Sequence, residues 1–147
     1  MATPEQVAEY EAKWQKAVDE VFQLYSGEGW KEESQKEKDM RVFLRYDPSS
    51  SFAQVKAVVT INAPLERVEE VLKTVKTVDA NTPKDQRDGN LERAFLGPCG
   101  DGSDAEGYFY IVVESPSRFI SAREFLMIQK LARRDGKIAM VRTSIVN

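Results

Sequence analysis

Apolar residues recur at steps of three or four near the start of the chain, at Val7, Tyr10, Trp14, Val18, Val21 and Tyr25. Such spacing gathers them into one stripe of a helix. Thr3 and Gln6 have capping-box spacing, Pro4 suits the first helical position, and Gly27 is placed to end the helix. The pattern predicts a long amphipathic helix lying on a sheet. A second helix is expected over NAPLERVEEVLKTVK, with Pro64 near its start and Leu65, Val68, Leu72 and Val75 on one stripe.

Elsewhere the period falls to two. GWKEESQKEKDMRVFLRY predicts two short strands around a charged turn, with Met40, Val42, Leu44 and Tyr46 alternating with Arg41, Phe43 and Arg45. Asp47-Pro48 and three serines mark a loop. FAQVKAVVTI is then a strand with Ala53, Val55, Ala57, Val59 and Ile61 on one face. TVDANTPKDQRDGN reads as a loop or broken helix. LERAFLG and AEGYFYIVVES predict strands on either side of PCGDGSD. That loop lacks the closing Glu of a calcium site and the Lys of a P-loop, so it reads as a hairpin tip with Cys99 as an exposed thiol.

SRFISAREFLMIQKLARRDGKIAMVRTSI, residues 117–145, can be read two ways. AREFLMIQKLARR consists largely of strong helix formers, and as a basic amphipathic helix it would suit a membrane surface or a partner's groove. Asp135-Gly136, however, suits a two-residue type I′ hairpin turn. That turn sets Leu131 opposite Met140, Gln129 opposite Arg142 and Met127 opposite Ser144. Arg123, Phe125, Met127, Gln129 and Leu131 then share a face with Ile138, Met140, Arg142 and Ser144. The other face carries Leu126, Ile128, Ala132, Val141 and Ile145. Two apolar faces mean a sheet covered on both sides. Turn chemistry favours the strand, since helical propensity yields to tertiary context. Arg123 either pairs with a carboxylate such as Glu114 or sits at a wet edge; alternatively, Arg123 and Gln129 line an internal cavity whose contents satisfy them.

Composition narrows the function classes. The 147 residues, 41% hydrophobic, suffice for a domain with a real core. Acidic residues (24) outnumber basic ones (21), which gives no electrostatic footprint for nucleic acid. No apolar run approaches a membrane span, the N-terminus has no signal-like apolar core, and the single cysteine fits a reducing compartment, so a cytoplasmic protein is expected. Histidine is absent, which removes the usual Ser-His and Cys-His nucleophiles and imidazole-dependent zinc sites. No catalytic residue, metal or cofactor is expected.

The order of elements, with INAPLERV opening the second helix and Arg123-Glu124-Phe125, RRDGK and Ser144-Ile145 near the end, resembles the START domain, the lipid-transfer domain related to steroidogenic acute regulatory protein. The resemblance spans residues 1–147 as one domain. It implies an α+β helix-grip fold, a curved antiparallel sheet with an N-terminal helix and a short crossing helix around a lipid-sized tunnel. It also implies further strands and a C-terminal helix that this chain does not supply after SIVN. Glu124 replaces the family's Asp, and TVDAN stands where the family has Trp-Asp. Tyr110 and Gln129 match positions that hold an acidic–basic cavity pair in sterol-binding members.

The expected function is therefore non-enzymatic binding or transfer of a lipid or other hydrophobic small molecule. Val59, Tyr110, Val112, Phe125, Met127 and Met140 are the candidate wall residues, and Arg123, Gln129 and Arg142 the candidate polar contacts. The alternative is a regulatory or scaffold domain that self-associates or binds a protein partner. Transient membrane contact and a homo-oligomer covering an open groove are the associations expected.

Overall fold

The structure, a computed structural model, describes residues 2–34, 39–74, 77–99 and 106–146. It is α+β, with an N-terminal helix and two antiparallel sheets, one three-stranded and one four-stranded. The chain forms two compact units, Phe22–Pro64 and the combination of Met1–Val21 with Leu65–Asn147.

The smaller unit contains β1 (Lys31–Glu33), β2 (Met40–Tyr46) and β3 (Ala53–Val59), in the order β1-β2-β3. The charged turn expected between the first two strands falls largely at 35–38, outside the described residues. Met40 pairs with Val59, Val42 with Ala57 and Leu44 with Val55, which produces one apolar face. On the other, Lys56 lies 4.7 Å from the Trp30 ring and 4.9 Å from the Phe43 ring, so aromatic faces hold the cation.

The larger unit is built on β4 (Asn90–Pro98), β5 (Gly107–Val113), β6 (Arg123–Arg134) and β7 (Lys137–Ser144), in sequence order. Residues 123–144 thus form a hairpin rather than a helix, preceded by a loop at 117–122. Asp135 and Gly136 adopt φ of 52° and 75°, the left-handed pair that a type I′ turn requires. Leu131 faces Met140, Gln129 faces Arg142 and Met127 faces Ser144, in the register that the turn dictates.

Helix α1 (Pro4–Ser26) opens with the predicted capping box, Thr3 N–H donating to Gln6 Oε1 at 2.9 Å and Gln6 N–H to Thr3 Oγ1 at 3.1 Å. The middle of its stripe, Tyr10, Trp14 and Val18, packs on the sheet face that carries Tyr108, Lys130 and Arg134, while Val7 and Val21 are exposed. Trp14 and Val18 are buried, each burial stabilising by roughly 1.5–3 kcal/mol. The Trp14 indole donates to the Val141 carbonyl on the last strand at 3.1 Å, so the ring buries its apolar body without orphaning its N–H. Lys130 lies 4.6 Å from the same ring and pairs with Glu11 at 2.9 Å.

The opposite face carries helix α2 (Leu65–Leu72), whose Glu69 carboxylate bonds the Arg133 guanidinium. Each face of the hairpin thus carries a helix, with α2 covering only part of its side. After α2 the chain rejoins the sheet at Val78, which exchanges two 2.9 Å backbone hydrogen bonds with Arg93. Val75, expected on the α2 stripe, lies outside the described residues, as does 100–105 of the Gly- and Asp-rich loop.

Gly107 is set by close approach. A Cβ there would meet the Gly97 carbonyl oxygen and the Phe95 ring, which packs against Phe109 at 5.2 Å between centroids. Gly107→Ala should therefore destabilise the fold by roughly 1–3 kcal/mol. Chemical denaturation that leaves the midpoint unchanged would contradict this packing.

Candidate functional site

Antiparallel pairing decides which side chains meet. Gly107 sits opposite Gln129, Phe109 opposite Met127 and Ile111 opposite Phe125. These residues, with Met140 and Arg142 across the hairpin, form the α2-bearing face. Tyr110 pairs instead with Leu126, and Val112 with Glu124.

Beneath the end of α2 that face holds a cavity of about 290 Å³. Val71, Leu72, Phe109, Ile111 and Met140 form its apolar walls, and Thr74, Asp88, Arg93, Gln129 and Arg142 its polar lining. Gln129 is only 4% exposed, yet its Oε1 accepts a 2.9 Å hydrogen bond from Arg142 Nε. Arg142 as a whole residue is exposed, while partial burial of its guanidinium, and then the like charge of Arg93, lower its pKa from the ordinary value. The cation is therefore held where it is only partly solvated and near another cation.

A second cavity, of about 440 Å³, opens beside the strand ends. It is lined by Val113, Glu114, Ser115, Pro116, Ile120, Ser121, Arg123 and Phe125. Phe125 is the cross-strand neighbour of Ile111, so the two cavities lie on the same sheet face. The second suits an apolar ligand with few polar contacts; the first has an evenly mixed lining and lies just below the ~300–1,000 Å³ range for ligand pockets.

The sequence candidates divide accordingly. Gln129, Met140 and Arg142 line the first cavity, Arg123 and Phe125 the second, and Met127 lies on the same face between them. Arg123 is exposed and makes no ion pair with Glu114 among the described residues. Tyr110 and Val112 are corrections: the register turns them to the opposite face, so Tyr110 cannot form a cavity pair with Gln129. The Tyr110 hydroxyl donates instead to Glu124 Oε1 at 2.9 Å, and that bond raises its pKa. Val59 belongs to the smaller unit, where it is 53% exposed on β3.

Val71, Leu72, Arg93, Phe109 and Ile111 were missed as lining residues. For Phe109 and Ile111 a signal existed, since alternation within GYFYIVV separates 109 and 111 from 108 and 110. What alternation cannot supply is which set faces the cavity.

Cys99 is another correction, being buried at 7% exposure with its N–H bonded to the Glu106 carbonyl. Burial raises its thiol pKa from an ordinary 9.0 to about 11. Among the described residues no cluster of metal-ligating side chains occurs, and no helix is long and apolar enough to cross a membrane. No family model matches the chain, and no curated protein matches it significantly.

The Cys99 environment makes a direct prediction. At pH 8 its reaction with a thiol reagent should run about a hundredfold slower in the folded protein than in denaturant, following the thiolate fraction. Equal rates would mean that the thiol is exposed.

Proposed function

We propose that the chain is a non-enzymatic binding domain of the START type, which holds a lipid or other hydrophobic small molecule on the α2-bearing face of its four-stranded sheet. The observation that carries this reading is the pair of cavities on that face, apolar along Phe109, Ile111, Met140 and Phe125 and polar at Gln129 and Arg142. A ligand seated there removes apolar wall from water at roughly 25 cal/mol per Å². Met127 and Met140 give the wall adaptable side chains. The resemblance in INAPLERV and in Arg123-Glu124-Phe125 supports the same class, as does the absence of histidine for acid–base work. A cytoplasmic carrier with transient membrane contact is the setting we assign to it.

A self-associating scaffold is the second reading, favoured by one observation in the smaller unit. Val55 and Val59 on β3 are 66% and 53% exposed. Apolar side chains on an end strand are the usual material of an interface.

Native mass spectrometry of protein purified from cells, followed by solvent extraction, distinguishes these readings. Binding predicts an adduct that extraction recovers as an apolar molecule. A monomer mass without adduct, together with no uptake of lipid from vesicles, would refute it; a ligand-free dimer would favour the scaffold.

A further inference from the structure

Taking as its basis the reading that this face binds an apolar molecule, we propose that the ligand is a single-chain amphiphile with an anionic head. The head sits on Arg142 beside Gln129, and the tail runs along the sheet face into the cavity lined by Ile120 and Phe125.

The head assignment follows from charge and geometry. Among the described residues lining the first cavity, the cations Arg93 and Arg142 stand against one carboxylate, Asp88. Arg142 uses its Nε–H to reach Gln129 Oε1, and its terminal amino groups have no hydrogen-bond partner among the described residues. A guanidinium fixed through Nε presents the rest of its planar fork, the geometry that matches a carboxylate or phosphate. Gln129 is itself buried, so its amide holds that fork in place. An anion there offsets the partial desolvation of Arg142 and the repulsion from Arg93, which a neutral hydroxyl head would leave in place.

The tail assignment follows from the strands. Gln129 and Phe125 are four residues apart on β6, a distance of roughly 13 Å along an extended chain. Between them lies Met127, opposite Phe109, so the path is apolar from the head to the second cavity. Phe109, Ile111, Met127 and Phe125, cross-strand neighbours on this face, flank the path. A dodecyl chain spans the distance from Gln129 to Phe125, whose cavity Ile120 also lines, and a hexyl chain does not.

The test is a calorimetric titration of the whole chain with dodecanoate, dodecyl phosphate, dodecanol and hexanoate, the ionic probes below their micelle concentrations and dodecanol below its solubility limit. Both dodecyl anions should bind about tenfold or more tightly than dodecanol, the effect of a charge-assisted hydrogen bond. Arg142→Gln should remove that preference, and Arg142→Lys should restore part of it. Ile120 is 50% exposed, so Ile120→Asp should leave the fold intact while reducing dodecanoate to the affinity of hexanoate. Dodecanol binding as tightly as dodecanoate to the unsubstituted protein would overturn the head assignment and leave the binding face standing. Hexanoate matching dodecanoate would overturn the tail path. Failure of every probe to bind would remove the underlying reading itself.

Discussion

The structure depends on one tight turn. With Asp135 and Gly136 both at positive φ, the β6–β7 hairpin can close in only two residues. That closure sets Gln129 opposite Arg142 and Lys130 opposite Val141. A slip of one residue would exchange the two faces of β7, because side chains alternate with a period of two. Met140 and Arg142 would then turn toward α1, and Val141 toward the cavity. The turn thus decides which side chains form a core and which line the cavities on the α2 side.

The sheet uses its faces differently. On the α1 side, Trp14, Val18, Ile128, Val141 and Ile145 are buried, and the cation Lys130 is neutralised by Glu11. On the α2 side, an eight-residue helix covers only part of the sheet, and cavities remain. Arg142 stays charged in surroundings that lower its pKa, while Gln129 is buried in contact with it. A cation partly withdrawn from water gains from a counter-charge. In the account proposed above, an anionic head group supplies it to Arg142.

The hairpin was legible in the sequence because its determinant is local: Asp-Gly between alternating strands outweighed the helical propensity of AREFLMIQKLARR. The α1 stripe was legible for the same reason, through its capping box and period. Pairing between β5 and β6 was harder, since no tight turn joins them and residues 114–122 separate them. Two register shifts in β4 further hide which residues share a face. Tyr110 and Val112 were consequently expected on the cavity side, where Phe109 and Ile111 stand. Cys99 illustrates a different limit: a polar, Gly-rich sequence suggests exposure, but burial depends on packing that composition does not encode.

Methyl NMR during titration with dodecanoate tests the central claim most directly, because it reads both faces of the sheet at once. Resonances of Ile111, Met127 and Met140 should shift in a saturable manner, while those of Val18, Ile128 and Val141 on the α1 side should stay in place. Shifts confined to the α1 side, or no saturable shift on either face, would contradict the account.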